Sequence, residues 1–383
     1  MRVLMTITPG TGHTYPVVPL TWALQLAGHE VLAVSSGPGL ALGEAGARTV
    51  DVAPGLSLDQ MLGKLAQHHP EVAARLFQEG SGAGYLEVVG GAVASALRLQ
   101  PEMVEGVIRV AEEWRPDVVV HSPLLTPGIV AAAKLGVPAV QHGFGFVDPS
   151  AEMMRELHAD LFEQHGVDLP GVRATIDITP PSVVPARTGA WPMGYVPYNG
   201  SGPLPPALYD LLNSTPEVPR VAVCLGSGPV PGEAAAVMER LLATAPKTEA
   251  EFVVALPRVD LAPFGQLPDN VRAFDWVPYG ALVSRCSAVI HHAGPGTALG
   301  AMVHGLPQLV LDLKGLGRPD VARAIADRGV GRIVQPDEIG PELLESVLAD
   351  SEIRTAAAEV RAEIKAMPTP LDIAARLEDL AAQ

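Results

Sequence analysis

The sequence predicts an α/β protein that consists of two doubly wound domains. In both halves of the chain, short apolar segments rich in β-branched residues alternate with segments of helical periodicity, and Gly- or Pro-rich turns separate them. This alternation is typical of parallel sheets covered by helices. The length agrees, because 383 residues suffice for two domains at roughly 100–200 residues each.

The first half of the chain begins with a strand, a loop and a helix. The elements predicted there, in chain order, are a strand at Arg2–Thr8, a loop at Pro9–His13, a helix at Val17–Ala27, strands at Glu30–Val34 and Asp117–Val120, a helix at Ile129–Leu135 and a strand at Ala139–Gln141. Between them, Leu58–Arg115 has patches of helical spacing and Gly-rich breaks. We expect this helical insertion to carry a binding surface.

Prolines cluster between residues 180 and 220, which predicts a linker and a domain junction around residues 198–218. After it the alternation resumes, with strands predicted at Arg220–Leu225, Phe252–Ala255, Ala288–His291 and Gln308–Asp312, and helices at Gly232–Thr244, Ala298–His304 and Ile373–Ala382. We therefore expect domains at residues 1–205 and 206–367. The segment 368–383 is expected to pack back on the first domain.

Composition and charge exclude several classes of protein. The formal net charge of −16 argues against nucleic acid or an anionic membrane as a partner. The cysteines, Cys224 and Cys286, lie in apolar, strand-like runs and form neither a disulfide framework nor a zinc-binding pattern. Neither a signal peptide nor an uninterrupted apolar span is evident, so we expect a cytoplasmic protein.

The segment Val289–Ala298 is the most informative part of the sequence. An apolar strand ends in a Gly-rich turn that opens a helix, which is where open parallel sheets bind anions. We expect the amides of Gly296, Thr297 and Ala298 to face a phosphate, with His292 as a further donor. A Gly-rich turn on its own is as often only a tight turn.

Two other segments of the second half fit the same site. Ser227 lies in a Gly-rich loop after the first strand of that half and could meet the phosphate from the other side, although an ordinary β–α turn has the same pattern. Trp276 precedes Val277-Pro278 just past a strand. Its indole could stack on a flat base or belong to the core.

Four segments together resemble family 1 glycosyltransferases of the GT-B fold, in particular the bacterial enzymes that glycosylate antibiotics and other natural products. They are Pro9–Leu20, Tyr195–Gly200, Trp276–Pro278 and His291–Gln308. They span both halves in the order and spacing of that family. The resemblance implies two Rossmann-like domains facing each other across a cleft. The Tyr195–Gly200 segment is most similar to that of macrolide glycosyltransferases.

The resemblance also implies site residues and substrates. The donor-binding residues would be Ser227 near the phosphates, Trp276 and Val277 at the nucleobase, and His292, Gly294, Gly296 and Thr297 at the diphosphate. The donor in related bacterial enzymes is usually a thymidine diphosphate deoxysugar. The acceptor would be a small hydrophobic natural product such as a polyketide, and we expect His142, Phe144 and Phe146 to contact it.

His13 matches the position of the family's general base. Since a hydroxyl is a poor nucleophile, a base that titrates near neutrality is needed to take its proton as the sugar bond forms. Many relatives orient this histidine with an Asp, where this chain has Ser122. We therefore assign His13 and Ser122 to the catalytic site.

The sequence departs from the family again where relatives carry an Asp-Gln pair that binds sugar hydroxyls. Here Asp312 and Asp320 are the candidates to replace it, and a site with fewer polar partners suits a deoxysugar. The chain contains no Asp-x-Asp pair, so we expect no metal and no other cofactor. The helix dipole and His292 would stabilise the leaving diphosphate.

Two alternatives stay open at this point. Ser122 and the missing Asp-Gln pair also fit a non-catalytic helper or binding protein that kept the fold. A nucleotide-sugar epimerase of the same fold would need carboxylates in the cleft. A homodimer is compatible with the sequence. Some macrolide glycosyltransferases require a helper protein, but this chain is short for that group, and we expect none to be required.

Overall fold

The computed structural model describes residues 1–78, 83–146, 148–168, 172–226, 233–256, 262–313 and 318–383. Within these ranges the chain forms two parallel sheets, each covered by helices on both faces. This confirms the predicted α/β class with two doubly wound domains.

The N-terminal sheet contains seven strands in its described part. They are β1 (Arg2–Thr6), β2 (Glu30–Ser35), β3 (Arg48–Asp51), β4 (Val118–His121), β5 (Ala139–His142), β6 (Ala174–Asp177) and β7 (Trp191–Pro192), in the spatial order β3-β2-β1-β4-β5-β6-β7. The central strand β1 pairs with both β2 and β4, with Met5 opposite Ala33 and Val120. Its residues after Arg2 are buried, as expected for a strand covered on both faces.

The helices of this half surround the sheet and form the predicted insertion. They are α1 (Thr11–Thr14), α2 (Val18–Leu26), α3 (Leu58–His68), α4 (Pro70–Gln78), α5 (Ala83–Arg98), α6 (Pro101–Trp114), α7 (Pro127–Leu135), α8 (Ala151–Leu157) and α9 (Ala159–Gln164), with short 3₁₀ turns at Tyr15–Val17 and Gly37–Gly43. Helix α3 begins with a reciprocal capping box between Ser57 and Gln60. The helical insertion at Leu58–Arg115 is confirmed as α3–α6.

The C-terminal sheet has six strands among the residues described. They are β8 (Arg220–Cys224), β9 (Glu251–Ala255), β10 (Val271–Phe274), β11 (Ala288–His291), β12 (Gln308–Leu311) and β13 (Gly331–Val334), in the order β10-β9-β8-β11-β12-β13. Its helices are α10 (Pro206–Asn213), α11 (Glu233–Thr244), α12 (Tyr279–Val283), α13 (Pro295–His304), α14 (Arg318–Asp327), α15 (Pro341–Ala349), α16 (Ser351–Ala366) and α17 (Pro370–Ala381), with 3₁₀ turns at Ala245–Lys247, Ala262–Phe264 and Pro336–Glu338.

Three differences from the sequence predictions concern the Pro-rich stretch, the start of α13 and Cys286. Helix α10 lies inside the Pro-rich stretch that was expected to resist regular structure, because Pro206 occupies its first position, where proline is tolerated. Helix α13 begins at Pro295 rather than Ala298 for the same reason. Cys286 is half-buried between α12 and β11 rather than in a strand, whereas Cys224 is buried in β8, and both are free thiols.

One apolar core joins the two sheets. Leu20 and Leu24 of α2 share this core with Leu299 and Met302 of α13, and with Leu377 of α17. Helix α17 follows a capping box at Thr369 and packs on α2, and Glu378 there contacts the His29 ring at 2.6 Å. No helix in the described part of the chain combines the length and apolar character needed to cross a bilayer.

Candidate active site

His13 lies just beyond the carboxyl end of β1. Pro9–His13 was predicted to be a loop, but residues 11–14 form the one-turn helix α1, in which the amides of His13 and Thr14 both donate to Gly10 O at 3.1 Å. The His13 imidazole meets the Phe144 ring edge-on, with centroids 4.2 Å apart. The helical turn and the aromatic contact together fix the ring at the edge of the sheet.

Two cavities meet at His13. The first, the polar cleft, has a volume of about 560 Å³ and lies between the two sheets; Gly10–His13 and Tyr15 line it from the first domain, and Gly226, Trp276, Val277 and Thr297 line it from the second. The second, the apolar cavity, measures about 220 Å³ and lies against the helical insertion. His13 belongs to the lining of both, so its ring lies on the boundary between them.

The apolar cavity is lined almost entirely by hydrocarbon. Its lining includes Met61, Leu76, Tyr85, Val89, Leu124 and Phe144 from the first domain and Pro295 and Val321 from the second. Its polar lining groups are His13 and Tyr85, which is itself buried. A hydrophobic molecule can therefore fill the cavity and present one polar atom to His13.

The environment of His13 favours the neutral imidazole. The residue is half-buried, and its Nδ1 is enclosed and has no hydrogen-bond partner among the described residues. Burial lowers the pKa of His13 to about 4, because the charged ring loses its hydration. At neutral pH the ring is therefore unprotonated and able to accept a proton, but its pKa lies below the near-neutral value expected from the sequence.

Ser122 follows β4, the strand adjacent to β1. Its Oγ accepts the amide hydrogen of Thr8 at 3.3 Å, and its own amide donates to Thr6 O at 2.9 Å. The side chain thus ties the start of the loop that leads to His13 to the end of β4. The structure gives no hydrogen bond between Ser122 and His13 Nδ1.

The turn after β11 separates the roles of the two neighbouring histidines. The fully buried His291 accepts the Ala293 amide hydrogen at Nδ1, 3.2 Å, so its Nε2 carries the hydrogen that is donated to Gln308 Oε1 at 2.8 Å. His292 is half-buried, and its Nδ1 lies 3.2 Å from the carbonyl oxygen of Cys224. Only His292 is therefore available to a ligand at the turn.

The backbones of two glycines, one in this turn and one in the loop after β8, approach the His292 ring closely. Gly226 has φ +78°, and a Cβ added there or at Gly294 would lie 2.5–2.7 Å from the Cε1 and Nε2 atoms of the ring. Ala293 has φ +62°, an uncommon backbone conformation for a residue with a side chain. Such outliers cluster at binding sites, where the surrounding structure holds them.

Helix α13 directs its first amides toward the polar cleft. Gly294 is the N-cap and Pro295 the first residue, so the amides of Gly296 and Thr297 precede the first helical hydrogen bond. Ala298 was expected to offer a third amide, but its N–H donates to Gly294 O at 3.0 Å. The Tyr279 hydroxyl donates to Thr297 O at 2.9 Å and anchors the helix start.

Trp276 and Val277 line the polar cleft from the second domain. The indole Nε1–H donates to Asn199 O at 3.3 Å, and Asn199 Oδ1 accepts the Gly280 amide at 3.3 Å. Asn199, in the linker, therefore forms hydrogen bonds with both Trp276 and Gly280. Asn199 and Tyr279 were not identified from the sequence, although Asn199 lies within the Tyr195–Gly200 segment.

The residues expected to bind the acceptor separate into two groups. Phe144 lines the apolar cavity beside His13. His142 and Phe146 are buried: the His142 Nδ1 contacts Gly143 O at 2.7 Å, and Phe146 belongs to the core that joins the two sheets. Only Phe144 of the three lines the cavity, because the chain leaves β5 after His142 and its irregular course turns Phe146 into the core.

The candidates for sugar binding separate in the same way. Asp312 is exposed, and its Oδ2 accepts the Gln335 side chain at 2.5 Å, on the surface beside β13. Asp320 lies in the first turn of α14, where Arg318 is buried and Val321 lines the apolar cavity. Asp320 and Arg318 both act electrostatically on the hydroxyl of Tyr85. Sequence analysis missed Arg318, although it is a cation shortly after a strand.

Ser227 lies outside the described residues, as does the rest of its loop up to residue 232. In the ranges that the structure describes, no three His, Cys, Asp or Glu side chains converge in a way that could hold a metal ion.

Comparison with known proteins agrees with this geometry. The family described as "Erythromycin biosynthesis protein CIII-like" matches with its N-terminal domain over residues 22–226 and its C-terminal domain over residues 239–380. The elloramycin glycosyltransferase ElmGT of Streptomyces olivaceus is 38% identical over 98% of this chain and 97% of its own length.

Solved structures extend the comparison to the whole fold. The glycosyltransferase SnogD from Streptomyces nogalater has a TM-score of 0.85 and 35% identity, covering 99% of this chain and all of its own. The spinosyn rhamnosyltransferase SpnG, complexed with thymidine diphosphate, has a TM-score of 0.79 and 30% identity at the same coverage. The chain therefore belongs to the erythromycin CIII-like family of bacterial natural-product glycosyltransferases, family 1 enzymes of the GT-B fold.

Proposed function

We propose that this enzyme transfers a deoxysugar from a thymidine diphosphate sugar to a hydrophobic, polyketide-type acceptor, with inversion at the anomeric carbon and His13 as the general base. The observation that carries the proposal is the position of His13. Its ring lines both the polar cleft, which suits a nucleotide sugar, and the apolar cavity, which suits a hydrophobic acceptor. A base must reach the acceptor hydroxyl where it faces the sugar.

Donor binding in the polar cleft is supported by the chemistry of its lining. Trp276 and Val277 offer an aromatic and an aliphatic surface for thymine. The amides of Gly296 and Thr297, at the positive end of α13, and the His292 ring suit the diphosphate. The related SpnG structure with thymidine diphosphate supports this nucleotide.

In the proposed reaction, the acceptor oxygen attacks the anomeric carbon from the face opposite the diphosphate. His13 takes the hydroxyl proton, and the C–O bond to the diphosphate breaks with its electron pair. The α13 amides and His292 stabilise the negative charge on the departing group. We propose that no metal takes part, because a helix N-terminus and a histidine already face that charge.

The apolar cavity supports a hydrophobic acceptor. Phe144, Met61 and Val89 are the kind of wall that binds a polyketide ring system, with one polar group directed to His13. The transferred sugar would then lie between His292 and the cavity, beside Asp320 and Arg318. An acceptor with a nucleophilic carbon would give a C-glycoside by the same geometry.

Neither alternative fits the site as well. An epimerase needs carboxylates at the sugar, but Asp59 and Asp275, which line the polar cleft, are exposed, and Asp320 beside the proposed sugar position is a single carboxylate. A non-catalytic helper protein has no need for a neutral histidine on the boundary between two cavities.

Purified protein tests the proposal directly. The chain alone, incubated in EDTA with a panel of thymidine diphosphate sugars and aromatic or macrolide aglycones, should give a glycoside by mass spectrometry, with inverted anomeric configuration by NMR. Slow donor hydrolysis without acceptor is expected. Absence of a glycoside until a second protein is added contradicts the expectation that no helper is required. Donor binding without any turnover favours the non-catalytic alternative.

A further inference from the structure

The hydrogen-bonding partner of His292 determines which ring nitrogen carries the hydrogen. Nδ1 lies 3.2 Å from the carbonyl oxygen of Cys224, and a carbonyl oxygen can only accept. The hydrogen of a neutral ring is therefore on Nδ1. Nε2 then carries only a lone pair.

The Nε2 side of the ring faces the phosphate-binding turn. A Cβ added at Gly226 would lie 2.5 Å from Nε2, and one added at Gly294 would lie 2.6 Å from it. Gly226, on the loop after β8, lines the polar cleft, and Gly294 is the N-cap of α13, whose Thr297 also lines it. A phosphate bound to the α13 amides is therefore approached by Nε2 rather than by Nδ1.

Phosphate oxygens also only accept hydrogen bonds. A neutral His292 with its hydrogen on Nδ1 would direct a lone pair at another acceptor, which is repulsive. We propose that His292 binds the donor diphosphate as an imidazolium, with Nδ1–H held by Cys224 O and Nε2–H donating to a phosphate oxygen, so that donor binding takes up one proton. This inference rests on the proposed donor site and adds to it the protonation state of its ligand.

The groups around the ring keep it neutral before the donor binds. The described titratable or charged groups packed around it are His291 on its own strand, Cys224 on β8 and Arg318 at the start of α14. Burial keeps His291 neutral, and its Nδ1 lone pair is needed to accept the Ala293 amide hydrogen. Burial and the Arg318 guanidinium lower the pKa of His292 to about 4, although its bond to Cys224 acts in the other direction.

A sugar diphosphate brings two negative charges to this position. They offset Arg318 and favour the charged ring, in the way that an opposite charge within a few ångströms raises the pKa of a histidine. The resulting charge-assisted hydrogen bond is about twice as strong as a neutral one. It exists only while the diphosphate is bound, so the proton leaves with the product.

Calorimetry of thymidine diphosphate glucose binding without acceptor tests the inference. This probe has no phosphate that titrates between pH 6 and 8, unlike thymidine diphosphate. Titrations at pH 7.5 in buffers of different ionisation enthalpy count the protons, and the wild-type protein should take up close to one per ligand. Its Kd should weaken by up to about tenfold per pH unit between pH 6 and 8, as linkage requires for one proton.

Two variants identify the group that takes up the proton. His292→Gln keeps an N–H donor that does not titrate, so its proton count should fall to near zero and its Kd should become independent of pH. His13→Gln, which removes the other histidine of the cleft, should keep the full proton uptake. Wild-type binding without proton uptake, or equal uptake by His292→Gln, overturns this inference but leaves the proposed donor site intact. Failure of the probe to bind to wild-type protein overturns the proposed donor and this inference with it.

Discussion

The His13 imidazole packs edge-on against Phe144, with ring centroids 4.2 Å apart and ring planes at 64°. The two residues follow different strands, β1 and β5, of the same sheet. Their contact forms part of the wall between the polar cleft and the apolar cavity. A molecule bound in either cavity therefore contacts the same imidazole.

Removal of the His13 side chain should abolish most of the activity. If His13 is the base, His13→Ala should lower kcat by roughly a hundredfold or more, since general-base catalysis is typically worth 10²–10⁴-fold. His13→Asn should be equally poor, because an amide cannot take the proton. Donor affinity measured by calorimetry should barely change in either variant. Near-normal rates on the natural acceptor would mean that another group deprotonates it, or that it is already ionised.

The pH profile of kcat/KM should reflect the buried state of His13. The base must be unprotonated, so the rate falls as pH decreases through its pKa in the free enzyme. Because burial lowers the pKa of His13 to about 4, we expect the acid limb well below 6.5. Ser122→Asp should move this limb to higher pH if the carboxylate reaches the ring. Ser122→Asn has the same shape without the charge and should leave the limb in place; equal profiles for all three proteins would exclude the coupling.

Periodicity predicted the central strands of both sheets, because buried parallel strands are nearly continuous apolar runs. It missed β3, β6, β7 and β13 and the helices α14 to α16; the edge strands β3, β7 and β13 are partly exposed and mixed in pattern, and β6 has only four residues. It also missed α1, because a four-residue helix with two threonines and a glycine has almost no intrinsic helical signal. Tertiary contacts, not local preference, form that turn.

The residues of the site were predictable where a motif marked them, and less so where packing decides. His13, Trp276 and Thr297 all line the polar cleft, as the sequence segments suggested. Asp312 and His142 could not be excluded from the sequence, because their exposure or burial depends on Gln335 and on the core around β5. Arg318 was not identified, since the adjoining residues carry no motif.

Substitution of the two adjacent histidines should have different effects, on donor affinity for His292 and on stability for His291. His292→Ala should weaken binding of thymidine diphosphate and slow transfer, with little loss of stability. His291→Ala should leave Gln308 unpaired in the core, which costs about 1–3 kcal/mol in the free energy of unfolding, besides the cavity that it creates. Calorimetry and urea denaturation on both variants measure the two effects. Unchanged affinity and rate in His292→Ala would refute its assignment.

A methyl group at Gly145 should disturb the contact between the domains. A Cβ at this position would lie 2.6 Å from Cβ of Pro295, the first residue of α13. One domain must shift to relieve the overlap, so Gly145→Ala should lower kcat/KM beyond any effect of backbone strain at its φ of +157°. Gly136→Ala is the matched control: Gly136 also has a positive φ, +67°, but an added Cβ there has no neighbour within 4 Å, so the variant should lose stability and keep wild-type kinetics. Wild-type kinetics for Gly145→Ala would show that the contact does not matter for catalysis.

The wall of the apolar cavity includes residues of both domains. Phe144 and the helical insertion belong to the first domain, and Pro295 and Val321 belong to the second. At about 220 Å³ this cavity is smaller than the roughly 300–1,000 Å³ typical of sites for drug-sized molecules. A bulky aglycone therefore has to widen it, and because the wall includes residues of both domains, a relative movement of the domains would do so. If that movement limits the rate, each catalytic cycle includes a diffusive motion of whole domains through solvent. Turnover should consequently slow as sucrose or glycerol raises the viscosity of the solvent. With a smaller acceptor, turnover should depend less on viscosity.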